Sequence, residues 1–266
     1  MTTTSTAWTE ETVEAAGTRL QLVKGGVGEP LLVLHDEMGH PGWLRFHAAL
    51  AQDYTLYIPS HPGFGKSEPL EWLMNMRDLA AWYLAALDDL ELGQVHVVGL
   101  GLGGWLAAEM ATMCLHQFKK LVLVSPPGIK PPSGEIYDMF LVVAKAYLAS
   151  SFADPAHTPE YQQLYGTDPT PAQLEAWDLA REMSSRLTWR PYMHDPGLPH
   201  LLRRLQRLPT LIVWGRQDAI VPVSAAEAYH QAIPGSRLVI LDHCGHHPEI
   251  EHADEFVQQV REFLQD

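Results

Sequence analysis

The stretch Val95-His96-Val97-Val98-Gly99-Leu100-Gly101-Leu102-Gly103-Gly104-Trp105 constrains this chain more than any other. A short run of β-branched residues stops at a glycine cluster, and from Trp105 to Leu115 strong helix formers take over, so the segment reads as strand, tight turn and helix. Two different sites are built on that geometry. In one, written Gly-x-Ser-x-Gly, a strained turn lifts a nucleophilic serine above a parallel sheet. In the other, Gly-x-Gly-x-x-Gly, backbone amides cradle a dinucleotide pyrophosphate. Gly99, Gly101 and Gly104 satisfy the second pattern, whereas the first needs a hydroxyl at position 101, where this chain has glycine.

The neighbouring sequence sets the turn in a sheet. Residues 12–24 alternate, with Val13, Leu20 and Leu22 apolar and Gly17 at a turn, which suits an opening hairpin. Leu31 to Leu34 and Leu121 to Val124 are short, wholly apolar strands, as expected where helices cover both faces. Further strands are expected at 54–58, 210–214 and 237–241, with helices leading to Ala51 and over 76–90, 223–232 and 254–264. Between the strands at 121–124 and 210–214 the pattern breaks. Residues 126–208 open on Pro126-Pro127-Gly128 and then carry only helix-like segments, near 136–151, 171–187 and 197–206. Strands alternating with helices imply a doubly wound, mostly parallel α/β sheet. The expected organisation is a core of 1–125 and 209–266 with a helical lid inserted at 126–208.

Composition removes several function classes. The 266 residues carry 18 Lys and Arg against 32 Asp and Glu, a net charge of −14, with no basic cluster beyond short pairs, so no nucleic-acid partner is expected. The Thr-rich, acidic start, Met1 to Glu14, does not read as a signal peptide, and the longest apolar run contains His96, Glu109 and many glycines, so no membrane span is expected. Two cysteines, Cys114 and Cys244, suggest a reduced compartment without disulfides, and the expected location is cytoplasmic. His243, His246 and His247 crowd one loop, but no ligand spacing of the His-Glu-x-x-His kind is present, so no metal is expected. Glu109, in an apolar helix, is expected to bond a neighbouring backbone group or arginine, and Cys244 to be a small buried residue. Met139 to Val143, Trp177 and Trp189 read as the apolar core of the lid, part of it lining a pocket.

Two more clusters follow late strands: Gly215-Arg216-Gln217-Asp218-Ala219-Ile220-Val221-Pro222 and Asp242-His243-Cys244-Gly245-His246-His247-Pro248. Carboxyl ends of strands are where open α/β sheets build sites. With the histidine-led loop at 35–43, His61-Pro62-Gly63-Phe64-Gly65-Lys66-Ser67, the glycine turn and Glu251, these motifs make residues 20–266 resemble the α/β-hydrolase superfamily, in its lidded group of esterases, lactonases and carbon–carbon bond hydrolases. The resemblance implies Asp218 as the triad acid, His246 as the base, Gly101 at the nucleophile position, and an oxyanion hole from Leu102 N–H and a loop N–H near Asp36–Glu37. Where such chains often read His-Gly, this one reads His35-Asp36.

The dinucleotide reading lacks its acid about 20 residues on, and several strands precede the glycine turn instead of none. No cofactor is expected. Taken singly, Asp218 is a turn or helix-cap residue and His246 a loop histidine; their order behind the right strands is what marks a site. The expected function is action on a small apolar ester, lactone or ketone-type substrate through His246 and Asp218 without a serine, by a monomer or homodimer. Two alternatives stay open: a non-catalytic protein that binds a small apolar ligand, and a serine esterase altered at position 101.

Overall fold

The computed structural model describes residues 7–266; the Thr-rich start, Met1–Thr6, lies outside the described residues. In chain order the first elements are β1 (Trp8–Ala15), β2 (Thr18–Gly26), β3 (Glu29–Leu34), α1 (Arg45–Leu50), β4 (Tyr54–Pro59), α2 (Met76–Asp89), β5 (Val95–Leu100), α3 (Leu102–Met113) and β6 (Phe118–Val124). Four helices follow, α4 (Ala144–Ser150), α5 (Pro159–Tyr165), α6 (Pro171–Thr188) and α7 (Leu198–Leu201), the last continued by a 3-10 turn over Leu202–Arg207. The chain closes with β7 (Thr210–Gly215), α8 (Ser224–Ala232), β8 (Arg237–Leu241), α9 (Pro248–Glu251) and α10 (Ala253–Gln265). The eight strands form one sheet in the order β1-β2-β4-β3-β5-β6-β7-β8. Pairings β1–β2 and β2–β4 are antiparallel, and every pairing from β4 through β8 is parallel. The fold is the expected doubly wound α/β sheet.

Alternation along each central strand divides the core. Leu32, Leu34, Val97, Leu121, Leu123, Ile212 and Trp214 join Leu79, Tyr83, Leu106 and Tyr229 of α2, α3 and α8 on one face. Leu31, Val33, Val98, Val122, Val124, Leu211 and Val213 join Phe46 and Leu50 of α1 and Phe256, Val260 and Phe263 of α10 on the other. Because successive side chains point to opposite faces, both sets can be fully apolar only in strands covered on both sides. The opening hairpin turns at Ala16 and Gly17, both at positive φ (44° and 75°), as a two-residue turn matched to strand twist requires. No helix among the described residues is long and apolar enough to cross a membrane.

The helical stretch between β6 and β7 departs from expectation in detail. Over 136–151 only Ala144–Ser150 is helical. Met139 is buried, but Leu141 and Val143 are 81% and 70% exposed and Trp189 is 53% exposed, so this apolar run is not a continuous core. The backbone turns at Asp138, whose Oδ1 accepts the Phe140 N–H at 2.9 Å, and a helix cannot bury successive residues on one face. Helix α5 was not expected from sequence; its Pro159 sits in the first turn, where its missing N–H costs nothing. Helix α3 begins at Leu102, three residues before the expected Trp105.

Candidate functional site

Close packing explains the glycine cluster. A Cβ on Gly99 would lie 2.4 Å from Gly103 O, and one on Gly103 would lie 2.3 Å from Leu34 O and 2.5 Å from His35 O. Helix α3 therefore sits against β5 and the end of β3 at distances no larger residue permits, which lets two glycines persist in a helix despite their poor propensity. Gly101 has a different reason. It caps α3 at φ 46° and ψ −120°, with its N–H bonded to Val124 O at 2.9 Å and its carbonyl accepting from Gly104 N–H at 2.9 Å. That positive φ is strained for a residue bearing a Cβ, and it points the missing side chain up over the sheet.

The elements behind β7 and β8 bring the other expected residues to this turn. Asp218 closes a tight turn, its Oδ1 accepting from Ile220 N–H (2.8 Å) and Val221 N–H (2.9 Å), while its Oδ2 lies 2.8 Å from His246 Nδ1. It is thus both a turn residue and the partner of the histidine. The loop carrying His246 is pinned by Glu251, whose carboxylate accepts from Gly245 N–H and Ala153 N–H, each at 2.8 Å, and by His246 N–H bonding Ser151 O at 2.7 Å. The histidine is fully enclosed. Its Nε2 is buried with no hydrogen-bond partner and lies 3.3 Å from where a Cβ on Gly101 would be.

Glu37 fills the space above the turn. Its Oε2 would be 2.8 Å from a Cβ on Gly101 and accepts from Leu102 N–H at 3.4 Å; its Oε1 lies 3.6 Å from His246 Nε2 and accepts a 2.5 Å hydrogen bond from Tyr147 O–H of α4. Sequence reasoning had Leu102 and the Asp36–Glu37 segment supplying backbone N–H donors to a substrate oxygen. Instead, the Leu102 N–H donates to the chain's own acid, through the side chain of Glu37. Tyr147 and Ser184, whose hydroxyl donates to Glu37 O at 2.8 Å, were not anticipated. Both come from helices of the inserted stretch, and nothing in their local sequence marks them. The anion at the N-terminus of α3, the place a dinucleotide phosphate would occupy, is this carboxylate.

Burial should disfavour every charge here, and the contacts decide which ones survive. Burial opposes an imidazolium at His246, but the charge and hydrogen bond of Asp218, with Glu37 and Asp36 behind them, push it up to about 10. Burial likewise opposes the Glu37 anion, yet His246 and the Tyr147 hydroxyl outweigh it and hold Glu37 below the usual carboxylate range. Asp36 goes the other way: burial and the neighbouring charge of Glu37 raise it to about 7. These shifts favour an imidazolium at His246 facing the Glu37 carboxylate at 3.6 Å above the Gly101 turn.

Glu109 accepts from Trp105 Nε1 at 3.2 Å, not from an arginine, and burial raises its carboxyl. Cys244 is buried and its thiol is pushed up by burial. Among the described residues, no group of three or more His, Cys, Asp and Glu side chains is placed to hold a metal ion. A cleft of about 460 Å³ runs beside the 38–40 loop, lined by Met38, His40, Phe64 and Ala176, and another of about 320 Å³ flanks the same loop at Tyr165 and Trp177.

Comparison with known proteins agrees with this architecture. The chain is 30% identical over 262 residues to 2-hydroxy-6-oxononadienedioate/2-hydroxy-6-oxononatrienedioate hydrolase 2 of Pseudomonas putida, covering 91% of this chain and 89% of that one. It is 29% identical over 268 residues to a 2-hydroxymuconate semialdehyde hydrolase of Pseudomonas putida, covering 94% and 92%. A further relative, the dihydrolipoyllysine-residue acetyltransferase component of an acetoin cleaving system of Pseudomonas putida, is 28% identical, but the chain spans 64% of its length. Among solved structures, an esterase from Exiguobacterium antarcticum superposes with a TM-score of 0.80 at 20% identity, over 97% of this chain and 100% of that one, a likeness of fold. Residues 22–253 match the family model of the alpha/beta hydrolase fold, and the chain belongs to that family.

Proposed function

We propose that this protein is a hydrolase of small apolar esters, lactones or ketone-type substrates that works through His246 and Asp218 without a serine nucleophile. One observation carries the reading: a buried histidine, oriented through Nδ1 by a buried aspartate at 2.8 Å, turns an unpartnered Nε2 toward the elbow. That nitrogen makes no hydrogen bond, and the nearest acidic oxygen is Glu37 Oε1 at 3.6 Å, so it is free to exchange a proton at the elbow. Two relatives near 30% identity are named as hydrolases of a 2-hydroxy-6-oxo compound and of a semialdehyde, which supports ketone-type substrates. Helices α4 and α6 of the 126–208 insertion, through Tyr147 and Ser184, act as the lid over the elbow.

The test is turnover of an ester, lactone and vinylogous diketone panel by His246→Ala and Asp218→Asn. Each is expected to lose about 10²–10⁴-fold, the range of a positioned acid or base. Unchanged turnover in His246→Ala would sink the proposal. The filled elbow favours a second reading, a binding protein that holds a small apolar ligand untransformed. That reading requires ligand-dependent thermal stabilisation with no product formed.

A further inference from the structure

In a serine-dependent site of this shape the histidine is the base, and the nucleophile's oxygen lies above the turn. Here that volume holds a carboxylate. Glu37 Oε2 sits 2.8 Å from the Gly101 Cβ position and Oε1 sits 3.6 Å from His246 Nε2. The backbone of Glu37 is fixed by Ser184, and its carboxylate is held by Tyr147 O–H and Leu102 N–H. A side chain on residue 101 and this placement of Glu37 exclude one another. We propose that Glu37 is the general base of this site and that His246, oriented through Nδ1 by Asp218, is its general acid. The assignment rests on the hydrolytic reading above.

The step balances without a cofactor. The Glu37 side chain withdraws from Leu102 N–H, which then receives the substrate carbonyl oxygen, and water enters beside the carboxylate. Glu37 takes one proton of that water as the water oxygen bonds to the carbonyl carbon. The bond to the leaving atom breaks with its electron pair on that atom, which takes the Nε2 proton of His246. The proton on Glu37 then passes to His246, restoring both groups, and the products are the acid and the protonated leaving group. The charge pattern is consistent with these roles: against burial, His246, the Tyr147 hydroxyl and His247 favour the Glu37 anion, whose charge in turn raises Asp36 and Tyr192, while Asp218, Glu37 and Asp36 favour the protonated imidazole.

Glu37→Gln keeps the size and acceptor capacity of the side chain but cannot take a proton. Against the panel substrate turned over fastest, it is expected to lose about 10²-fold or more in kcat with KM little changed, and to lose the acid limb of the wild-type pH profile. Glu37→Ala should regain part of its activity in added formate. Melting temperatures establish that each variant folds. If Glu37→Gln turns over like wild type while His246→Ala is inactive, this inference falls and the hydrolytic reading stands. If neither change matters, the hydrolytic reading falls and takes the inference with it. A covalent substrate adduct on Glu37, seen by peptide mass in His246→Ala, would make Glu37 a nucleophile and overturn its role as base. A substrate-free measurement is equally decisive. In ¹⁵N-histidine spectra His246 should be an imidazolium at about pH 8 in wild type and lose that proton sooner in Glu37→Gln; a neutral His246 at that pH overturns the assignment.

Discussion

Position 101 ties two residues together. A serine at position 101 adds a Cβ 2.8 Å from Glu37 Oε2, 2.9 Å from Asp36 Cβ and 3.3 Å from His246 Nε2, at a φ of 46°. The flexible carboxylate can yield; the Asp36 Cβ, held close to the backbone, cannot do so as cheaply. Gly101→Ser alone is therefore expected to lose about 1–3 kcal/mol of stability from the strained backbone and to show no ester hydrolysis through a serine, because Asp36 Cβ and the displaced Glu37 carboxylate crowd the hydroxyl beside His246. Gly101→Ser combined with Glu37→Gly should open that volume, and turnover of p-nitrophenyl esters with a pre-steady-state burst is its expected mark. A burst in the single Gly101→Ser variant would overturn this expectation, and its absence would rule out a serine esterase altered only at position 101. Sequence alone left this question open. His246, Asp218 and Gly101 were legible because each follows a strand in a fixed order, whereas the side chain of Glu37 meets Tyr147 across 110 residues, a contact no local pattern announces.

At the scale of elements, β5, its turn and α3 were readable for the same physical reason that makes them intolerant of change. Continuous apolar strands occur only where both faces are covered, and a run of glycines between strand and helix signals close backbone approach. Gly103→Ala would place a methyl 2.3 Å and 2.5 Å from the main-chain oxygens of Leu34 and His35, which cannot move without breaking the β3–β5 pairing. The expected loss is about 1–3 kcal/mol or more, read as a drop in the denaturation midpoint. Gly93→Ala, with nothing within 4 Å of its added Cβ, is the control and should change stability by no more than about 0.5 kcal/mol. The inserted stretch was legible only as helical. Its apolar run at 139–143 forms turns, since its neighbours and not its composition decide which of those side chains are covered. The β-strands had no such freedom.

Across the whole molecule, histidine burial sets how stability responds to pH. His35, His47 and His61 are enclosed as neutral rings, and burial lowers all three, His61 to about 3. An unfolded chain would protonate them near pH 6.5, while the native state takes up no proton there until far lower pH. The unfolded state thus binds more protons below about pH 6.5, so stability is full above that value and falls as pH drops from it toward about 3. His246 has the opposite sign. The native state holds its proton to about pH 10, so its contribution is full below about pH 6.5 and disappears as pH rises from there through about 10. Calorimetric melting temperature against pH should therefore fall on both sides of a neutral maximum, with separate causes for the two limbs. His246→Ala should flatten the alkaline limb, and on the acid side it should remove only the contribution of Glu37, which His246 holds low. His61→Asn, which loses the ring hydrogen-bonded to Tyr83 at 2.6 Å, should lower the maximum but make the acid limb shallower. An acid limb equally steep in His61→Asn would show that carboxylate protonation, and not buried neutral histidine, drives the acid loss.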